Sequence, residues 1–190
     1  MPEFVHEGYP CDNIFEYQTA RRLHNREIIL HDDIENGTIA EVYDDLRQMI
    51  YDNDTDPIKV FIKSPGGSVF DGLHLYDELR GLSCPVYTYG QGIIASAASF
   101  IFMAGDKRFI QPHAWFMIHE LASFNWGTLA EQKDDLKQKE KMMDQIIKIY
   151  ADVSGLTTAV IRRNSLRKNW WLDSSEAVEK GFATQVGFDE

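Results

Sequence analysis

The sequence predicts an α/β fold, a largely parallel sheet built from repeated βαβ units with helices on its faces. Three observations carry that expectation. Short β-branched or aromatic runs, at residues 58–62 and 86–89, are bounded by Pro, Gly and Ser as buried parallel strands are. Apolar residues at helical spacing separate these runs, giving the order strand, helix, strand, helix, strand, helix. With 190 residues, 44% of them hydrophobic, the chain is long enough for one domain around one core.

The elements follow in order. Residues 1–20 mix aromatics and acids around Gly8-Tyr9-Pro10 without a sustained period, so they read as an arm, leaving 21–190 as a single domain. Residues 26–30 form the first strand. Thr38 with Glu41 resembles a capping box, opening a helix with Ile39, Val42, Leu46, Met49 and Ile50 on one face that stops before Asp52. After the strand at 58–62, Ser64-Pro65-Gly66-Gly67-Ser68 breaks the chain ahead of a helix over about 71–80, with Leu73, Tyr76 and Leu79 on one face. The strand at 86–89 enters a bend at Ser96, which passes straight into a buried helix. Strands at 107–110 and 114–118 come next, the second ending at His119. Thr128 and Glu131 form another capping box, opening a helix over about 128–154 with a stripe of Leu129, Leu136, Met143, Ile147 and Tyr150. At 1.5 Å per residue it is about 40 Å long, more than a compact domain needs, so it should project and pack on another subunit. A short helix at 158–163, a helix capped by Asp173 with Glu176 and ending at Gly181, and a closing segment at 184–187 complete the chain.

Composition excludes several function classes. Nineteen basic residues against thirty acidic ones give a net charge of −11, unsuited to nucleic acid or an anionic membrane and better suited to cationic or polypeptide partners. The two cysteines, Cys11 and Cys84, form no CxxC pair, which fits a reducing compartment. The N-terminus is not that of a secretory leader, and the longest apolar run, 92–104, is too short to span a bilayer, so a cytoplasmic protein is expected. No histidine pair has metal-ligand spacing, and Walker and Rossmann loops are missing, so neither metal nor cofactor is expected.

Three features fall at the C-terminal ends of strands, where groups in an α/β sheet converge on one crevice. Ser96 lies at a tight bend among Ala95, Ala97 and Ala98, at the start of a helix whose free N–H groups suit an oxyanion. Gly66-Gly67 lets backbone N–H groups turn toward a ligand, and His119 can serve as a base. A G-x-S-x-G elbow is absent, because Ile94 and Ala98 stand at its glycine positions.

Taken together, Ser64-Pro65-Gly66-Gly67, Gly92-Ile93-Ile94-Ala95-Ser96-Ala97, Met117-Ile118-His119 and Glu176-Ala177-Val178-Glu179-Lys180-Gly181 resemble the ClpP family, the proteolytic subunits of the Clp protease, over residues 15–188. The Ser-Ala-Ala-Ser run and short arm resemble its divergent, phage-type members. The resemblance implies a ClpP/crotonase-like fold with a protruding handle helix at about 128–154. It also implies stacked heptameric rings forming a tetradecamer of identical chains, and cofactor-free serine endopeptidase action on unfolded polypeptide delivered by an AAA+ ATPase. Carried over by position, Ser96 is the nucleophile, His119 the general base, and Gly67 and Ala97 give the oxyanion-hole N–H groups. Residues 121–127 correspond to the strand beside which extended substrate lies, so Gly66, Ala122, Ser123, Phe124 and Asn125 are the substrate-binding candidates.

This chain departs from the family at several points. Counting forward from Val160 puts Asn164 at the third catalytic position, where the family has aspartate; counting back from Glu176 puts Ser165 there. Asn164 is the candidate carried, because its carbonyl oxygen can accept Nδ1–H of His119. The nearest carboxylate, Asp173, reads as an N-cap. The family's glycine pair after the histidine is replaced near Ser123-Phe124. Lys59 and Gly81 stand where the family presents aromatic rim residues to its ATPase, although Phe61 is retained. The alternatives are a weak or inactive subunit that co-assembles with an active paralogue, and an acyl-CoA enzyme on the crotonase scaffold.

Overall fold

The structure is a computed structural model that describes residues 4–6, 9–122 and 126–188. Strands β1 (Phe4–His6) and β2 (Tyr9–Cys11) pair antiparallel, and α1 (Ile14–His24) follows, its N-cap Asn13 accepting hydrogen bonds from the N–H groups of Phe15 and Glu16. The sequence predicted an arm without regular elements here, and its boundary at residue 20 falls inside α1. This helix buries none of its residues and leaves Phe15 exposed, so no inward-facing period marks it.

Strand β3 (Glu27–Leu30) leads into α2 (Asn36–Asp52), which buries Ile39, Val42, Leu46 and Met49. The expected capping box at Thr38 does not form. Glu35 is the N-cap, without a side-chain bond, and Thr38 Oγ1 donates instead to Asp33 O at 3.1 Å. Strand β4 (Ile58–Ser64) precedes α3 (Val69–Gly81), whose buried residues are Gly72, Leu75 and Leu79, with Leu73 and Tyr76 only half-buried beside them.

Strand β5 (Val86–Ala95) runs six residues past its expected end at Tyr89, and α4 (Ala97–Phe102) is buried throughout. Then come β6 (Lys107–Ile110), β7 (Trp115–Ile118), α5 (Leu129–Ser154), α6 (Thr158–Ser165), β8 (Trp170–Asp173), α7 (Ser174–Glu179) and β9 (Gln185–Val186). Both capping boxes expected at Thr128/Glu131 and Asp173/Glu176 are present.

One parallel path, β3-β4-β5-β6-β9, forms the main sheet. Strand β5 also pairs with β7, because Ile62 lies opposite Gly90 but Ser64 lies opposite Ile94, which leaves two extra residues on β5. Its first half pairs with β6 and its second with β7, while β8 runs antiparallel to β7. That fork carries the end of β5 to the end of β7, where Ser96 and His119 stand.

Two buried arginines tie carbonyl-rich ends together. Arg26, with φ 57, donates to Met49 O and Asn53 O at 2.6 and 2.7 Å, satisfying carbonyls at the end of α2. Arg108 donates to Gly105 O, Gly181 O and Phe182 O, joining the approach to β6 with the turn after α7.

Candidate active site

A strand that passes into a helix with no intervening loop must turn within one residue, and Ser96 makes that turn at φ 55, ψ −125. Such a backbone costs on the order of 1–3 kcal/mol and persists only where its surroundings over-determine it. Ser96 N–H donates to Met117 O on β7 at 3.0 Å, and Ser96 O accepts from Ser99 N at 2.9 Å and from Ser99 Oγ at 2.6 Å. Both peptide groups flanking the serine are therefore pinned.

Gly66 lies against this bend. A Cβ there would stand 2.5 Å from Ser96 Cβ and 2.7 Å from Ala95 O, at a φ of +104 that side chains rarely adopt. Gly66→Ala should lower stability by about 2–3 kcal/mol, as overpacking against stiff backbone does, and should misplace Ser96. Thermal melting, read beside active-site titration of the folded fraction, checks both effects.

The bend sets Ser96 Oγ 2.7 Å from Nε2 of His119, a separation at which a proton can pass. Burial holds His119 below the usual histidine range, so at neutral pH the ring is an unprotonated base. Activity governed by this group rises with pH through a value below the ordinary histidine pKa and is flat above it; a kcat/KM–pH profile checks this. The stability link has the same sign: as pH falls below the unfolded-state value, the unfolded chain binds the proton first and stability declines.

A cavity of about 350 Å³ opens over the pair, lined among others by Gly67, His119, Leu121 and Ala122. Among the described residues, neither Gly67 N–H nor Ala97 N–H has a hydrogen-bond acceptor. Helix α4 is only six residues long, so the single N–H of Ala97, rather than a large helix dipole, is what it offers an anion.

Of the expected site residues, Ser96, His119, Gly66, Gly67, Ala97 and Ala122 lie together around this cavity. Ser123, Phe124 and Asn125 lie outside the described residues, and Leu121 and Ala122 carry no strand. Among the described residues, Asn164 has no hydrogen bond to His119. It sits inside α6, where the amide nitrogen donates to Val160 O at 2.9 Å, and Ser165 is likewise turned to Ile161 O. Asp173 caps α7, accepting from Glu176 N at 2.8 Å.

A residue that sequence counting passed over is Asn169. The antiparallel ladder of β7 and β8 ends at the pair Ile118 and Trp170, and His119 and Asn169 are the residues next beyond that last pair. The apolar Trp170-Trp171-Leu172 run, read as an antiparallel partner for Phe116-Met117-Ile118, is the signal that points to Asn169.

The Clp protease family model matches residues 12–190. The chain belongs to the Clp protease family. Among curated relatives, it is 34% identical over 166 residues to ATP-dependent Clp protease proteolytic subunit 2 of Treponema denticola, covering 86% of this chain and 82% of that protein. It is 30% identical over 177 residues to proteolytic subunit 1 of Corynebacterium jeikeium, covering 92% of each. Among solved structures, it superposes on an Asn-to-Asp variant of ClpP1 from Listeria monocytogenes with a TM-score of 0.83 at 25% identity, covering 91% of this chain and 97% of that one.

Within this ClpP fold, α5 is the handle helix. It buries only Met143, Ile146, Ile147 and Tyr150, and leaves Leu129 and Leu136 of the expected stripe exposed, so its first half projects from the domain. On the sheet, Phe61, Tyr89 and Phe109 are paired across β4, β5 and β6 and stack with ring centroids 4.7 and 4.9 Å apart, with Phe188 edge-on to Tyr89. This ladder includes the retained Phe61 of the expected rim. Among the described residues no helix is long and apolar enough to cross a membrane.

Proposed function

We propose that this chain is a ClpP-type serine endopeptidase that cleaves unfolded polypeptide. The observation that carries the reading is the 2.7 Å contact between Ser96 Oγ and His119 Nε2, beside two backbone N–H groups that have no acceptor among the described residues. His119 takes the proton of Ser96 as Oγ adds to the scissile carbonyl, and Gly67 and Ala97 N–H groups receive the resulting oxyanion. Collapse expels the amine, which leaves with the proton from His119, and water then enters by the same steps to release the acid and restore Ser96. The third member in this reading is an amide, Asn164 by the family count or Asn169 just beyond the β7–β8 ladder, its carbonyl oxygen accepting Nδ1–H so that Nε2 stays free. Gly66 and Ala122 border the path of an extended substrate.

Family membership supports assembly into rings, which we take to be heptameric and stacked as a tetradecamer through α5, in the cytoplasm. It also supports delivery of substrate by an AAA+ ATPase, for which half-buried Phe61, backed by the buried rings of Tyr89 and Phe109, is the apolar rim residue.

A fluorophosphonate tests the reading: labelling confined to Ser96 supports it, and labelling of another serine, or none in assembled particles, counts against it. One observation favours a second reading, a weak or silent subunit that modulates an active paralogue: among the described residues no carboxylate bonds His119. Rings that form yet cleave no model peptide, with or without an ATPase, would select it.

A further inference from the structure

Behind the nucleophile runs a buried chain of hydroxyls that the peptidase mechanism does not use. Ser99 Oγ lies 2.6 Å from Ser96 O and 2.6 Å from the hydroxyl of Tyr150, which comes from α5 and is 1% exposed. Proton counting fixes the direction. A carbonyl oxygen only accepts, so the single hydrogen of Ser99 goes to Ser96 O, and Tyr150 must donate to Ser99 Oγ. Burial pushes the Tyr150 phenol well above its ordinary pKa, so it remains a donor across the working pH range.

Ser96 C=O and Ala97 N–H belong to one planar trans peptide and point in opposite directions. Tying the oxygen back to Ser99 therefore aims the N–H of Ala97 forward, toward the cavity over Ser96 Oγ. The same tie sets ψ of Ser96, the residue whose backbone is strained. Without it, the Ser99 backbone N–H alone holds Ser96 O, at 2.9 Å, and the strained peptide gains latitude to tilt the oxyanion donor off line.

We infer that Tyr150 and Ser99 are positioning residues that aim the Ala97 N–H at the oxyanion, acting through the carbonyl of Ser96. This rests on the serine peptidase reading and adds to it residues that act through a main-chain carbonyl. The interaction is felt when charge develops on the substrate oxygen, so its loss lowers kcat and kcat/KM together and leaves KM unchanged.

The test uses the assembled protein with Tyr150→Phe, Ser99→Ala and the double variant. Each single change should lower kcat about tenfold, the scale of one lost hydrogen bond, with KM unmoved. The double variant should be no worse than the poorer single one, because both break the same chain. A tetrahedral peptide boronate should lose affinity by the same factor as kcat/KM, whereas binding of the product peptide should hold. If Tyr150→Phe fails to fold, Ser99→Ala gives the same readout. Wild-type kcat in the folded variants, a change confined to KM, additive losses, or loss of folded protein in both overturns the inference. Failure of the wild type itself to label at Ser96 would overturn the peptidase reading instead.

Discussion

Ser96→Ala is expected to reduce peptide cleavage by between about 10² and 10⁶-fold, and where it falls in that range is informative. In a complete triad, loss of the serine costs about 10⁶ in kcat, while loss of the acid alone costs about 10⁴, and these losses do not add. If the amide at the third position holds His119 as an aspartate would, the chain starts from the upper level and Ser96→Ala removes the full factor. If it does not, most of the advantage is already absent and about 10² is left to lose. The variant should fold and assemble normally, since alanine meets the same φ of 55 as serine and loses only Oγ. Steady-state cleavage, with fluorophosphonate labelling as the zero, measures the drop. Retention of most of the activity would mean that another group is the nucleophile.

The complementary expectation is that Asn169→Asp raises kcat, by as much as about 10⁴-fold, the cost of the reverse change in a serine protease. An amide at the third position can present either its oxygen or its NH₂ to Nδ1, and the second choice holds the ring in the tautomer that cannot accept the serine proton. A carboxylate offers only acceptors. It would also stabilise the imidazolium, so the rising limb of the kcat/KM–pH profile should move upward from the position that burial of His119 now sets. The same change at Asn164, whose amide nitrogen alone bonds Val160 O, separates the two candidates: a gain there and none at Asn169 assigns the third position to Asn164. An unchanged rate and profile for Asn169→Asp would remove Asn169 from the site.

Much of this was legible because the controlling interactions are local. The capping boxes at Thr128 and Asp173, the βαβ alternation, the small residues around Ser96 and the strand-end position of His119 depend on neighbours a few residues away. Misreadings arose where distant partners decide. The strand expected over 86–89 continues to Ala95, because Gly90 pairs with Ile62 of β4 and Ile110 of β6, and Ile93–Ala95 pair with β7 beyond the two extra residues. Thr38 satisfies a capping pattern, but α2 begins earlier and uses Thr38 against Asp33 O. The third catalytic position shows the same limit: counting through the turn between α6 and β8 leaves Asn164 and Ser165 open, and only the pairing of β8 with β7, which ends at Ile118 and Trp170, brings Asn169 into consideration.

The fork in β5 has a consequence for how this enzyme would lose activity. Ser96 and His119 extend from two adjacent parallel strands, and Ser96 N–H closes onto Met117 O as the next rung of that ladder. No hinge or flap lies between them. Heat or denaturant can separate the two groups only by unzipping the centre of the domain, so inactivation should coincide with global melting, and no folded but disarmed form should accumulate on the way.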